Sequence, residues 1–154
     1  MLIRPTTISE LFEHAAALFE EHHQELAIHK SAMILQPDRA RYELFEEQGT
    51  LLVLGVWDEE RMVGYSVNIL QVHPHYTGLH VCTNDVFFLT KGARGLGLCR
   101  ELLKETCRSA RLRAPAGEPL LVMMHAKKDT PFGHILERHG YGVEEVTYSK
   151  VIQP

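Results

Sequence analysis

The chain has 154 residues, of which 45% are hydrophobic and 23% are charged, as is ordinary for a soluble globular protein. Its length predicts one domain spanning residues 1–154. No apolar run reaches the roughly 20 residues of a transmembrane helix, and the first residues do not resemble a signal peptide, so we expect a cytoplasmic protein. The net charge of −4 argues against a broad nucleic-acid interface. Three cysteines without a CxxC pair predict reduced thiols.

The N-terminal half predicts one strand, two helices and three antiparallel strands. Thr7 and Glu10 have the spacing of a capping box, and Asp38 is suited to cap the second helix. Alternating apolar residues separated by short turns predict the strands. The expected elements are a strand at 2–4, helices at about 7–29 and 38–49, and strands at 50–57, 62–73 and 79–89.

The C-terminal half predicts alternating helices and strands. A helix follows the glycine-rich turn at residues 92–97, and the apolar run at 120–124 predicts a central strand covered on both faces. Asp129 or Thr130 is suited to cap a helix with Pro131 in its first turn, which Gly140 ends. Residues 143–152 predict a last strand.

The glycine-rich turn is the most informative motif, because it lies between the strand at 79–89 and a long amphipathic helix. A helix start leaves backbone N–H groups unpaired and carries partial positive charge, and glycines let an anion approach closely. This arrangement predicts a phosphate site, with Arg94 as an added cation. Gly97 is not followed by the Lys-Ser/Thr of a P-loop, and Arg100 stands where a dinucleotide-binding fingerprint needs its third glycine.

Gly95-Leu96-Gly97 resembles the Gly-x-Gly of the acyl-CoA loop in the Gcn5-related N-acetyltransferases (GNAT). The Arg/Gln that opens that family's motif falls on Gly92, so the loop departs from the pattern there. The order of elements is similar over nearly the whole chain. Residues 136–141, LERHGY, resemble the family's helix end, and the segments at 73–76 and 147–150 resemble phage-type members.

The resemblance implies an α/β fold with a mixed, mostly antiparallel sheet, helices on both faces and a splayed pair of central strands. It also implies transfer of an acetyl group from acetyl-CoA, as cosubstrate and without a metal, to an amine of a small molecule or peptide. The residues expected to hold the cosubstrate are Phe87, Phe88, Leu89, Thr90, Arg94, Gly95, Leu96, Gly97 and Leu98.

The catalytic candidates are less well marked. The family's usual proton-donating Tyr falls on Leu136 and is therefore missing. Asp85 is a candidate general base because a carboxylate in an apolar strand is costly unless it is paired or used. His125, at the end of the next strand, is a candidate proton carrier, and Tyr148 is kept as a third candidate.

Several alternatives stay open. Cys99, near a helix start, would be the nucleophile of an acyl-enzyme mechanism, but it shares an apolar stripe. The histidines near residues 22–29 lack metal-site spacing, and the glutamates of the first two helices would suit a cationic acceptor or be ordinary surface. An acyl-CoA-binding module without activity is the main competitor, and acetylation of charged tRNA ranks low. Because relatives have two strands near the end of the chain, we expect a homodimer that covers the open sheet edge.

Overall fold

The computed structural model describes residues 1–95, 97–128 and 130–152. In this part of the chain, five strands form one sheet, and five α-helices pack around it. A short 3-10 turn at Lys91–Ala93 precedes the longest helix. In chain order the elements are β1 (Leu2–Pro5), α1 (Ile8–His14), α2 (Ala16–Leu26), α3 (Arg39–Glu47), β2 (Leu51–Asp58), β3 (Arg61–Val72), β4 (His80–Leu89), α4 (Leu98–Arg113), β5 (Leu120–Met123) and α5 (Phe132–Arg138).

The sheet has the order β1-β2-β3-β4-β5. Its first four strands pair antiparallel, and β4 pairs parallel with β5, so the predicted mixed, mostly antiparallel sheet is confirmed. Residues of α1 and α2 pack on one face with Tyr65 and Phe88, and α4 packs on the other with Leu52 and Leu89. The two apolar layers enclose the centre of the sheet, as expected where helices cover both faces.

Two of the three predicted helix caps are confirmed. Thr7 and Glu10 form a complete capping box at α1, and the Asp38 carboxylate accepts the Arg41 N–H at the start of α3. These bonds satisfy amide groups that a helix start leaves without an intrahelical partner. The predicted first helix is wrong in one respect, because it is two helices that meet at Ala15 and end at Leu26. Ala15 is fully buried, so packing sets this break and no glycine or proline marks it.

The predicted cap of the last helix by Thr130 is wrong, because Pro131 is the N-cap of α5, no described side chain caps that helix, and the Thr130 hydroxyl donates to the Lys127 carbonyl instead. Asp129, the alternative cap, lies outside the described residues.

The far end of the sheet also differs from the prediction. β5 is an edge strand, and no described residue pairs with its outer side, so its prediction as a central strand is wrong. The predicted last strand at 143–152 is absent, because this segment forms no ladder with any described residue. Val143, Val146 and Tyr148 are exposed there. Alternating apolar residues without a neighbouring strand do not form a β-ladder. None of the described helices is both long and apolar enough to cross a bilayer.

Candidate active site

The site begins with an irregularity in β4. Val67 pairs with Val86 and Asn68 pairs with Asn84, so Asp85 is an extra residue without a partner in β3. Such a bulge reverses the alternation of side chains beyond it. As a result Val86 and Phe88 face α1 and α2, while Phe87 packs on the α4 side.

β4 and β5 separate at the level of the bulge in β4. Their parallel register runs from His80 and Leu120 to Thr83 and Met123, and β4 continues to Leu89 without a β5 partner. The buried Asn84 side chain accepts a hydrogen bond from the His125 backbone N–H, so it links the two chains where pairing ends. The predicted splayed pair is therefore present, although β5 lies at the edge.

The open stretch of β4 presents backbone groups to the gap. The Thr90 N–H donates to the Val63 carbonyl at 2.9 Å, so it points toward β3. Because amide direction alternates along an antiparallel strand, the N–H groups of Leu89 and Phe87 point to the opposite edge. That edge is where β5 no longer pairs with β4. A ligand lying in the gap would therefore meet unpaired strand amides.

The loop after β4 leads directly to the start of α4. Gly95 and Gly97 have φ values of +88° and +76°, in a region that favours glycine, and a Cβ at either position would meet no atom within 4 Å. Gly97 is the N-cap of α4, and its carbonyl accepts the Glu101 N–H, so the intervening amides from Leu98 onward lie in the first turn. Two exposed glycines before a helix start form an open cradle suited to an anion. Leu96 lies outside the described residues.

Arg94 has partners within the protein. Its two terminal nitrogens bind the Glu25 carboxylate at 2.6 and 3.0 Å, and its Nε donates to the Leu89 carbonyl at 2.9 Å. The Arg94 hydrogen bonds hold the pKa of Glu25 below its usual value. The guanidinium also lies over the Phe88 ring at 5.5 Å. Arg94 thus ties the glycine loop to the end of α2 and to the end of β4.

A cavity of about 370 Å³ opens on the α1–α3 side of the sheet beside Asp85 and Val86. Its walls are mostly apolar, and its polar members include His22, Tyr42, Tyr65 and Lys127. The volume lies at the small end of the range of about 300–1,000 Å³ that is usual for small-molecule sites. The cavity therefore adjoins the level at which β4 and β5 separate.

Asp85 is held by a phenol. The Tyr42 hydroxyl donates a short hydrogen bond to Asp85 Oδ2. Burial of Tyr42, followed by this bond, raises the pKa of its hydroxyl above the usual value, so Tyr42 is a proton donor at neutral pH. Asp85 itself is exposed to the cavity side, which agrees with its prediction as a residue at the site but does not test its role.

His22 and Tyr65 form a second polar pair. His22 Nδ1 and the Tyr65 hydroxyl are 3.1 Å apart, and the His22 ring stacks on Phe88 with centroids 5.0 Å apart. Burial lowers the pKa of His22 and raises that of Tyr65, so His22 is neutral at pH 7. A neutral imidazole beside a phenol is able to accept a proton.

The other two catalytic candidates lie elsewhere. His125 is exposed in the loop after β5, and its backbone N–H, not its ring, makes the contact with Asn84. Tyr148 is 92% exposed in the segment that forms no strand. Neither residue lines the cavity beside Asp85.

Other candidate chemistry has a structural explanation. Burial raises the pKa of the Cys99 thiol, which opposes the depressed pKa expected of a nucleophile. Tyr141 packs against α4, with its hydroxyl 3.1 Å from Cys107 Sγ, and Leu136 is buried. In the described part of the chain, no three His, Cys, Asp or Glu side chains are grouped to hold a metal ion.

Comparison of the whole structure with solved structures gives many similar folds. A ribosomal-protein-alanine N-acetyltransferase from Brucella melitensis biovar Abortus 2308 is 17% identical, with 99% of each chain covered and a TM-score of 0.68. An aminoglycoside acetyltransferase from an uncultured soil metagenomic sample, in complex with sisomicin, is 14% identical, with 99% of this chain and 95% of that chain covered and a TM-score of 0.70. A transcriptional regulator from Bacillus halodurans C-125 is 15% identical, with 98% and 99% covered and a TM-score of 0.75.

The chain has the GNAT fold. No family model matches the sequence, and no curated protein matches it significantly. At these identities the likeness establishes the fold and leaves the activity to be argued from the site. The resemblance to phage-type members stays a prediction.

Sequence reasoning missed four residues of the site in this GNAT fold. His22 and Tyr42 occur in the apolar stripes of their helices, and a titratable group within such a stripe was the available signal. Tyr65 and Asn84 lie in strands whose apolar and polar residues alternate in the usual way. Their hydrogen-bond partners can be identified only from the three-dimensional structure.

Proposed function

We propose that the chain is an acetyl-CoA-dependent N-acetyltransferase that transfers acetyl directly to an amine within a ternary complex. The observation that carries the proposal is that three features follow one another along a single segment of the chain: the cavity beside Asp85, the open edge of β4, and the glycine cradle at the start of α4. Solved neighbours that share the fold include acetyltransferases. On the cosubstrate side, both the strand edge and the helix start offer backbone amides.

The cosubstrate residues have distinct roles in this proposal. The amides of Phe87 and Leu89 bind the pantetheine arm, and Thr90 ends the strand edge. The first-turn amides of α4 from Leu98, with Gly95 and Gly97, bind the pyrophosphate, where the helix start favours an anion. Phe88 lies beneath His22. Arg94 orders the loop through Glu25.

The reaction needs a neutral amine and a proton for the departing thiol. The amine nitrogen attacks the thioester carbonyl carbon and a C–N bond forms. The C–S bond then breaks, and the extra proton on the nitrogen passes through water to the departing thiolate, which leaves a neutral amide and a thiol. Asp85 binds the amine as an ammonium, and the neutral His22 ring or water accepts its proton. The Tyr42 hydroxyl keeps the Asp85 carboxylate in place. His125 remains a candidate for reprotonating the thiolate through water, and Tyr148 is assigned no step.

An acyl-CoA-binding module remains the second candidate, because the position at which the GNAT resemblance implies a proton-donating Tyr is held by Leu136, which is buried. Calorimetry with acetyl-CoA and a thiol-release assay over an amine panel separate the two. The transferase predicts both saturable binding and amine-dependent thiol release. Binding with no release across the panel would favour the module, and no binding at all would refute both.

A further inference from the structure

The cavity beside Asp85 has a distribution of charge that points to its occupant. Among its described lining residues, Asp85 is the only carboxylate, and Lys127 adds a positive charge. A ligand with a single ammonium group would therefore find one anionic partner in the cavity, the Asp85 carboxylate. A second or third positive charge on the same ligand would face Lys127 without a lining carboxylate to bind it.

The glutamates of the first helices do not alter this balance. Glu25 is bound to Arg94, and Glu43 is bound to Arg39 at 2.7 Å. Glu46 accepts the Ile8 N–H at 3.0 Å, which joins α3 to the start of α1. None of these residues lines the cavity. Glu13, Glu20, Glu21 and Glu47 do not line the cavity either, so no glutamate of the first helices is placed to bind a second positive charge of a ligand inside it.

The remaining walls are apolar. Phe12, Phe19 and Leu26 line the cavity from α1 and α2, and Ile34 lines it from the loop before α3. The loop is fixed to α2, because His23 Nε2 lies 2.7 Å from the Met33 carbonyl oxygen. A hydrocarbon or aromatic group placed among these side chains would lose contact with water, which is the main source of apolar binding energy.

We propose that the acceptor is a primary monoamine on an apolar body, of the arylalkyl or alkyl class, and not a polyamine or an aminoglycoside. The ammonium lies at Asp85 beside Tyr42 and His22, and the body lies among the apolar walls as far as Ile34. This assignment rests on the proposed acetyl transfer, since it names the substrate of the same site.

The test compares phenethylamine and hexylamine with spermidine, kanamycin and a lysine-containing peptide. Each amine is measured in the thiol-release assay with acetyl-CoA, and by calorimetry with the free protein and with protein saturated with coenzyme A. Coenzyme A carries no acetyl group, so calorimetry reads acceptor binding without turnover. We expect the two apolar amines to have kcat/KM at least about tenfold above the other three and to bind more tightly.

A matched pair of variants locates the apolar body. Ile34 is 80% exposed and lines the cavity, whereas Ile28 is 65% exposed and does not line it. We expect Ile34→Asn to raise KM for phenethylamine by about three- to tenfold, because an apolar contact is lost, with Ile28→Asn unchanged. Both positions are on the surface, so neither variant should unfold the chain.

The outcomes separate this inference from the proposed function. Thiol release that is fastest with spermidine, kanamycin or the peptide would leave the transferase standing and overturn the monoamine assignment. Equal effects of the two Ile variants would also overturn it. Binding of the apolar amines in calorimetry without thiol release would leave an apolar amine as a ligand of the cavity, but it would refute the transfer reaction and with it the assignment of an acceptor. Absence of apolar-amine binding to either form of the protein overturns the assignment.

Discussion

Gly64→Ala is the sharpest perturbation of the open strand edge. Gly64 lies in β3 opposite Leu89, and a Cβ built on it would be 2.7 Å from the Phe88 carbonyl oxygen and 3.2 Å from Leu89 Cα. The Leu89 side chain also contacts that position. Because two of the neighbours are backbone atoms of β4, the clash cannot be relieved by turning one side chain.

The expected result is a shift of β4 at the residues that we propose bind pantetheine. Overpacking of this kind typically costs about 1–3 kcal/mol in the free energy of unfolding. Displacing the Leu89 amide by a few tenths of an ångström should weaken one hydrogen bond, which corresponds to an increase in the Kd for acetyl-CoA of about fivefold to tenfold. Urea unfolding and calorimetry measure the two effects separately.

Gly92→Ala is the matched control, since a Cβ there meets no atom within 4 Å and Gly92 does not have a positive φ. It should leave stability unchanged or raised by about 0.4–1 kcal/mol through the unfolded chain. If Gly64→Ala unfolds at the same urea concentration as the wild type, the close approach of β3 to β4 is refuted. If it is destabilised but binds acetyl-CoA normally, the role of the β4 edge is refuted.

Four further predictions concern the site, the titration of His22 and the assembly. Asp85→Asn should lower kcat at least about tenfold with an unchanged Kd for acetyl-CoA, because it removes the charge that orients the ammonium. A variant with the same kcat as the wild type would exclude this role for Asp85. Gly97→Ala should raise the Kd for acetyl-CoA, because φ is +76° and the strained cap costs about 1 kcal/mol. An unchanged Kd in calorimetry would contradict this. Burial lowers the pKa of His22 from 6.5, so the unfolded chain binds more protons below about pH 6.5. The free energy of unfolding of the wild type should therefore fall on acidification relative to His22→Gln, with no pH-dependent difference above that pH, and a parallel pH profile would contradict it. We also propose that a second copy covers the outer edge of β5, and light scattering that gives a monomer at micromolar concentration would refute this.

The order of elements up to α4 was predictable because each has a local signal. Thr7 and Asp38 mark helix starts, and strand alternation recurs at regular intervals up to Leu89. The end of the chain was not predictable in this way. Residues 143–152 have strand-like alternation, but a strand also needs a partner, and local sequence does not report whether one is present.

Part of the candidate site was likewise predictable from local sequence, and part of it was not. Gly95 and Gly97 were recognisable because the chain must adopt a conformation that favours glycine there. Asp85 was recognisable as a carboxylate in an apolar strand, although the bulge that sets it beside the cavity was not. His22 and Tyr65 are 43 positions apart in the chain, so their hydrogen bond is set by how α2 packs on β3.

Arg94 shows why residue type alone is a poor guide to a phosphate site. A guanidinium beside a glycine loop suggests direct contact with the anion, yet Glu25 occupies both of its terminal nitrogens and the Leu89 carbonyl occupies its Nε. Three of the N–H donors of Arg94 are thus used within the protein, whereas the backbone amides at the start of α4 keep a fixed direction toward an anion because the helix holds them. The same ion pair fixes α2, which carries His22, to the end of β4. An anion bound at the start of α4 and an amine beside Asp85 would thus be positioned by one connected set of contacts, which is what a transfer between two bound molecules requires.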